Sequence, residues 1–369
     1  MSFLDKIEKI SLPRLKASIY RTTDADVQKV LAKKHVDIND FPTLISPAAS
    51  PYMETLAACS RNTTMLRFGK TIKLYAPIYI SNECVNACLY CGFNKNNKIA
   101  RISLTREEVM DEAEILYQHG FRHILLVSGE SRRSVPVEFI ADISKQLAKK
   151  FAAISIEVYP MNTDEYCFLA QNGVTGIAVY QETYDRGVYK TLHEGPKADF
   201  NYRLLTPERA GEAGFREIGI GALMGLTDFR TDLTCVVLHA AFLMKKFWRS
   251  QLSVSFPRLR YAEGGFVPKI DVNDRQLAQV IFALRMVLPD ADLVLSTREQ
   301  SGFRNGMAGI GITRMSAGSR TNPGGYQKPE SSLEQFEVAD TRTPCEIAAM
   351  ISHKGLEPVW KDFDPSFLA

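Results

Sequence analysis

The chain has 369 residues, 45% of them hydrophobic and 24% charged, with a mean hydropathy of -0.13; this is the composition of an ordinary folded protein and excludes a disordered one. Its 45 Lys and Arg stand against 42 Asp and Glu, a formal charge of +3, too small and too dispersed for binding nucleic acid or an anionic membrane. With no run of about 18 apolar residues and charges through "MSFLDKIEKISLPRLK", where a signal peptide would be apolar, a cytoplasmic location is expected, and seven cysteines, an odd number, in such a chain argue against a disulfide framework.

Residues 1–72 read as a helical lead-in, with Thr23 or Asp24 capping the amphipathic run "TDADVQKVLAKK" and "SPAASPY" as a break. From Lys73, eight short runs rich in Ile, Val and Leu follow: "KLYAPIYIS", "HILLVSG", "ISIEVYP", "GIAVYQ", "EIGIGAL", "LSVSFPR", "ADLVLST" and "GITRMSA". Segments of helical period separate them, among them "TREEVMDEAEILYQHG" with Thr105 as cap and Gly120 as stop, "TPERAGEAG" and "NDRQLAQVIFALRMVL". Strands apolar on both faces and joined by helices predict a parallel sheet with right-handed crossovers. Eight such units predict an α/β fold, a closed (β/α)8 barrel over residues 73–320, with a doubly wound open sheet as the alternative. Residues 321–369, from just before "NPGGYQ", form a C-terminal extension. "GKT" at Gly69–Thr71 imitates half a phosphate-binding loop, but Thr64 stands where its first glycine belongs.

Directly after the first strand, Cys84, Cys88 and Cys91 fall within eight residues. Structural zinc needs four closed ligands, and no second CxxC or histidine pair is present. Three thiolates suit a soft centre instead, and a four-iron cluster held by three cysteines keeps one iron open. The other cysteines, Cys59, Cys167, Cys235 and Cys345, are isolated and read as plain thiols.

CxxxCxxC in the loop after the first strand of a (β/α) barrel resembles the radical S-adenosylmethionine superfamily. The resemblance implies one [4Fe-4S] cluster on Cys84, Cys88 and Cys91, with S-adenosyl-L-methionine on the open iron and a 5′-deoxyadenosyl radical formed on reduction. It also implies that Tyr90 packs near the adenine, and that Gly129 and Glu130 of "VSGES" receive the methionine ammonium. Gly219, Gly221 and Gly225 would approach the adenosyl group, although strand–helix packing explains them nearly as well.

"RFGKTIKLYAPIYISNECVNACLYCGF", "LLVSGE", "YQETY", "GIGALMGLTD", "SVSFPRLR", "LSTRE", "NPGGY" and "GLEPVWKDFD" resemble, in order and over nearly the whole chain, the tyrosine lyases of bacterial thiazole biosynthesis. That resemblance implies cleavage of L-tyrosine to 2-iminoacetate and p-cresol, a thiazole synthase as protein partner, and flavodoxin or ferredoxin as electron donor. Arg298 resembles the family's substrate-carboxylate arginine, a bidentate clamp, with Ser296 beside it; an ion pair between Arg298 and Glu299 is the plain alternative. Gln181 and Glu182 would reach the ribose or the substrate amine, and Arg203 or Arg209 the carboxylate of S-adenosylmethionine. His239 is either a core histidine or a contact to the phenol, and Arg258 and Arg260 end a strand without an assigned role. The two terminal extensions are candidates for covering the site or for docking the partner. A hydrogenase-maturing tyrosine lyase would need a second cysteine cluster near the C-terminus, where this chain has only Cys345 beyond residue 235. A non-catalytic metal-binding scaffold would need neither Glu130 nor Arg298.

Overall fold

The computed structural model describes residues 2–328 and 333–364; the remainder of the extensions lies outside the described residues. Each of the eight apolar runs is a strand: β1 (Thr71–Ser81), β2 (His123–Ser128), β3 (Ala153–Glu157), β4 (Gly176–Ala178), β5 (Glu217–Gly221), β6 (Gln251–Ser255), β7 (Asp292–Leu295) and β8 (Arg314–Ser316). All pair in parallel and in chain order. β1 takes β2 on one edge (Ala76 opposite Ile124) and β8 on the other (Lys73 opposite Arg314), so the barrel is closed and no open sheet edge remains between them. Intervening helices have the expected stops and starts. Thr105 closes a capping box with Glu108 at the head of Arg106–Gln118, Asn273 does the same with Gln276 for Asp274–Val287, and Thr23, not Asp24, caps Asp24–Leu31. Gly69 ends the helix Met53–Phe68 at φ +62°, so "GKT" is a helix stop leading into β1.

A ninth strand, β9 (Glu357–Val359), was not expected from the sequence. It pairs with β1 at Thr71–Lys73, below the level at which β2 takes over, and so brings the C-terminal extension to the floor of the barrel. The floor is ionic. Lys73 lies 2.9 Å from Asp292 and 2.8 Å from Asp362, His123 lies 2.7 Å from Asp362, and Arg314 lies 2.9 Å from Glu217. These groups sit at the N-terminal ends of the strands, the face of such barrels that serves stability and leaves chemistry to the opposite end.

The lead-in belts the outside of the barrel. Phe3 stacks on His239 at 4.0 Å, Arg230 donates to the Ile45 carbonyl (2.8 Å), and Gln279 donates to the carbonyls of Leu44 and Ser46 (2.9 and 2.8 Å). Among the described residues no helix is long and apolar enough to cross a membrane.

Candidate active site

The C-terminal ends of the strands surround one cavity with about 1520 Å³ of space free of protein atoms, its mouth included. Cys84, Cys88 and Cys91, all free thiols, line it from the loop after β1. That loop is held from two sides. Val85 N–H donates to the Glu130 carbonyl (2.9 Å), Ala87 N–H to Glu194 (3.0 Å) and Leu89 N–H to Leu192 (3.1 Å). The Asn86 side chain ties the same neighbours together, donating to Glu130 Oε2 (2.6 Å) and accepting from Lys197 N–H (2.9 Å). A Cβ on Gly129 would stand 2.2 Å from the Glu83 carbonyl oxygen, so glycine here lets the end of β2 approach the cysteine loop.

Tyr90 lines the cavity, and its hydroxyl donates to His193 Nε2 (2.7 Å), while His193 Nδ1–H donates to the Tyr189 carbonyl (2.8 Å). Burial first, and then the charge of Lys197, push the pKa of His193 down to about 3, so the ring is neutral and Nε2 is an acceptor. Burial pushes the Cys88 thiol up to about 12 and raises Cys91 as well. Such thiols become ligands only when a metal cation displaces their protons, which are released. Among the described residues no three His, Cys, Asp or Glu side chains converge on a single ion-sized point. Cys84, Cys88 and Cys91 line one cavity, and three thiols there would suit a soft iron–sulfur centre.

Beside the cysteines lies a group of paired charges. Glu130 Oε1 accepts from Arg203 (3.1 Å), and Glu182 Oε1 lies 2.7 Å from Lys197 and 3.8 Å from Arg203. Burial alone would raise the Glu182 carboxyl, but Lys197 and then Arg203 bring it below its usual value. Arg203 also donates to the Tyr180 carbonyl (2.8 Å).

Across the cavity, Ser296 and Arg298 follow β7. The Arg298 guanidinium carbon lies 3.3 Å from the centre of the Phe336 ring. Glu299 turns away to Arg258 and Arg260 (2.9 Å to the latter), so the alternative pair of Arg298 with Glu299 does not form. Among the described residues the Arg298 side chain has no carboxylate on it, although burial lowers its pKa. Phe336 and Gln335 belong to the C-terminal extension; the Tyr79 hydroxyl donates to Gln335 Oε1 (2.8 Å) and Gln335 Nε2 lies 3.7 Å from Cys91 Sγ. This extension, not the lead-in, covers the cavity.

Three expected contacts are not among the lining residues. Arg209 donates to the carbonyls of Met161 (2.7 Å) and Tyr202 (2.8 Å) on the outer side, so that of the two candidates Arg203 lines the cavity. His239 is a core residue, bonded to the Tyr184 hydroxyl (2.9 Å) under Phe3, with its pKa driven to about 3 by burial. Gln181 points away from the cavity, where its amide meets the Phe200 carbonyl at 3.4 Å. The glycine run is also explained by packing: a Cβ on Gly221 would meet the Ser255 carbonyl oxygen at 2.1 Å, within the sheet. Sequence reasoning missed Lys197, His193, Asn86 and Glu157. Glu157, the one charge in the apolar run of β3, was the visible signal.

Residues 78–233 match the Radical SAM superfamily and residues 255–357 the Biotin and Thiamin Synthesis associated domain. The chain is 40% identical to a 2-iminoacetate synthase of Salmonella typhimurium and 41% identical to one of Escherichia coli, in each case over 98% of this chain and 97% of the relative. Among solved structures, HydG, a maturase of the [FeFe]-hydrogenase, superposes with a TM-score of 0.89 at 30% identity, over 99% of this chain and 83% of that one.

Proposed function

Because this chain belongs to the 2-iminoacetate synthase family of radical S-adenosylmethionine enzymes, we infer that it is a carbon–carbon lyase that cleaves the Cα–Cβ bond of L-tyrosine. The products are 2-iminoacetate and p-cresol, with 5′-deoxyadenosine and methionine. The observation that carries this reading is the content of one cavity: three free thiols, a paired-charge cluster and a guanidinium that, among the described residues, has no carboxylate on it.

The residues fit the groups that the family requires. Cys84, Cys88 and Cys91 would hold one [4Fe-4S] cluster. Glu130 and Arg203 would take the ammonium and carboxylate of S-adenosylmethionine, with Glu182 toward the ribose and Tyr90 toward the adenine. Once bound and reduced, these groups supply the 5′-deoxyadenosyl radical that removes a hydrogen atom from the tyrosine amine. Arg298 would clamp the tyrosine carboxylate, with Ser296 beside it. Burial under Gln335 and Phe336 keeps water from a radical that attacks C–H bonds indiscriminately. The imine product hydrolyses readily, which favours direct transfer to a thiazole synthase; flavodoxin or ferredoxin would be the electron donor. Cys345 is exposed and is the one cysteine of this sequence beyond residue 235.

The test is an anaerobic reaction of the iron- and sulfide-reconstituted protein with S-adenosylmethionine, tyrosine and a strong reductant. Deoxyadenosine, p-cresol and glyoxylate, the hydrolysis product of the imine, without carbon monoxide or cyanide, are expected. Deoxyadenosine without p-cresol would remove tyrosine as substrate, and absence of iron uptake would remove the cluster.

A further inference from the structure

We propose that Glu157 is the catalytic base that takes a proton from the ammonium group of the bound amino acid before the hydrogen atom is removed. The proposal rests on the reading of tyrosine as substrate and adds a residue that neither the motifs nor the relatives assign.

At neutral pH an amino acid arrives as an ammonium. Removing a hydrogen atom from that cation would leave a radical cation buried beside Arg298, Lys197 and Arg203, where like charge and low dielectric oppose it. From the neutral amine the same step leaves an uncharged nitrogen radical, which breaks the Cα–Cβ bond to give the imine and a hydroxybenzyl radical. The preceding step balances simply: one N–H bond breaks, one carboxyl O–H bond forms, and no electron moves.

Glu157 is the carboxylate placed for this. It ends β3, two residues beyond Ser155, whose hydroxyl lies 3.4 Å from Glu217 inside the barrel; alternation along the strand therefore turns Glu157 inward as well, at the mouth. It lines the same cavity as Arg298, and an α-amino acid carries its ammonium one carbon from its carboxylate, so a clamp on one brings the other into reach. The other cavity carboxylates are committed: Glu130 to Asn86 and Arg203, Glu182 to Lys197, Glu299 to Arg258 and Arg260. Among the described residues the Glu157 side chain has neither hydrogen bond nor ion pair. The charged and titratable groups that act on it are Glu182 and Tyr180 after β4, Lys197 and Arg203 beyond them, Arg298 after β7, and Tyr75 and Tyr79 on β1. The tyrosines are no competitors, because burial raises their pKa values. Burial, then the charge of Glu182, push Glu157 up to about 7 against the pull of Arg298, Lys197 and Arg203. That value suits a base working near neutrality.

The experiment measures p-cresol formation at saturating tyrosine from pH 6 to 8 for the wild-type holoenzyme, Glu157→Gln and Glu157→Asp, with iron content and the visible spectrum of the cluster as controls. The wild-type rate should rise through about pH 7, as Glu157 loses its proton. With Glu157→Gln the rate at pH 7 should fall about 10²-fold or more, with iron and spectrum unchanged, and should climb about tenfold per pH unit as water takes over the deprotonation. Glu157→Asp should recover part of the loss. A Gln variant within threefold of wild type, or one slowed by the same factor at every pH, would overturn the proposal. Should the Gln variant not load iron, the wild-type profile decides, and one flat from pH 6 to 8 overturns it. Absence of p-cresol from the wild type would instead overturn the tyrosine-lyase reading on which the proposal stands.

Discussion

Lys197 Nζ lies 2.7 Å from Glu182 Oε1, and Glu182 is the single non-glycine among the described residues with a positive φ, +69°. An L side chain in that region costs about 1 to 2 kcal/mol. Lys197 and Arg203 hold it there: without the Glu182 carboxylate, two buried cations would face each other. Glu182→Ala should therefore destabilise the protein by about 3 kcal/mol. Glu182→Gly, which also relieves the backbone, should lose about 1 kcal/mol less. Urea midpoints of the two variants measure the difference, and equal midpoints would mean that the backbone relaxes when the side chain goes.

Arg298 should report on substrate alone. Its guanidinium carbon lies 3.3 Å from the centre of the Phe336 ring, and among the described residues no carboxylate pairs with it. Arg298→Ala should raise the tyrosine concentration for half-maximal rate by about 30-fold or more, the effect of removing one partner of a buried charge pair. Arg298→Lys should rescue little, because an ammonium offers neither the fork nor the stacking face. Iron content should not change. Tyrosine titrations of p-cresol formation check this, and an unaltered half-saturation would take Arg298 out of the substrate site.

The barrel was legible because its strands are buried on both faces, so "HILLVSG" and "ISIEVYP" read as apolar runs without alternation. β9 was not, since Glu357, Pro358 and Val359 carry no such pattern and owe their strand to Thr71–Lys73, nearly three hundred residues away in sequence. Of the residues named from local motifs, the cysteines, Gly129, Glu130 and Arg298 line the cavity. Lys197 in "EGPKAD" looks like a surface turn until the cysteine loop is folded onto it. Arg203 and Arg209 were inseparable in sequence because the chain turns between two short helices, Phe200–Leu204 and Thr206–Glu212, and only one arginine follows the turn inward.

The barrel floor should set the acid limb of stability. Burial alone would raise Glu217, but Arg314 and then Lys73 hold it down at about 2, against about 4.3 for an unfolded glutamate. A folded pKa below the unfolded one gives stability that is present above about pH 4.3 and lost as the pH falls toward 2. The share is about 3 kcal/mol. Urea midpoints at pH 6, 4.5 and 3 should fall steeply for the wild type. They should fall less for Glu217→Gln, which is the weaker protein at pH 6. Parallel slopes would remove Glu217 from the acid limb.

Glu157 should show the opposite sign. Its folded pKa, about 7, lies above the unfolded value of about 4.3, so the folded chain holds the proton more tightly and loses stability as the pH rises between the two. Above pH 7 the ionised carboxylate costs about 4 kcal/mol. Glu157→Gln cannot ionise, keeps the shape and should be more stable than wild type at pH 8, with most of the advantage gone at pH 5. Were Glu157 a structural partner of Arg298, the Gln variant would be weaker at every pH, so thermal midpoints at pH 5 and 8 separate the two roles without any turnover. A half-buried charge kept at a cost to stability, in one cavity with a guanidinium that has no carboxylate on it among the described residues, is the trade expected where a substrate completes the pairing.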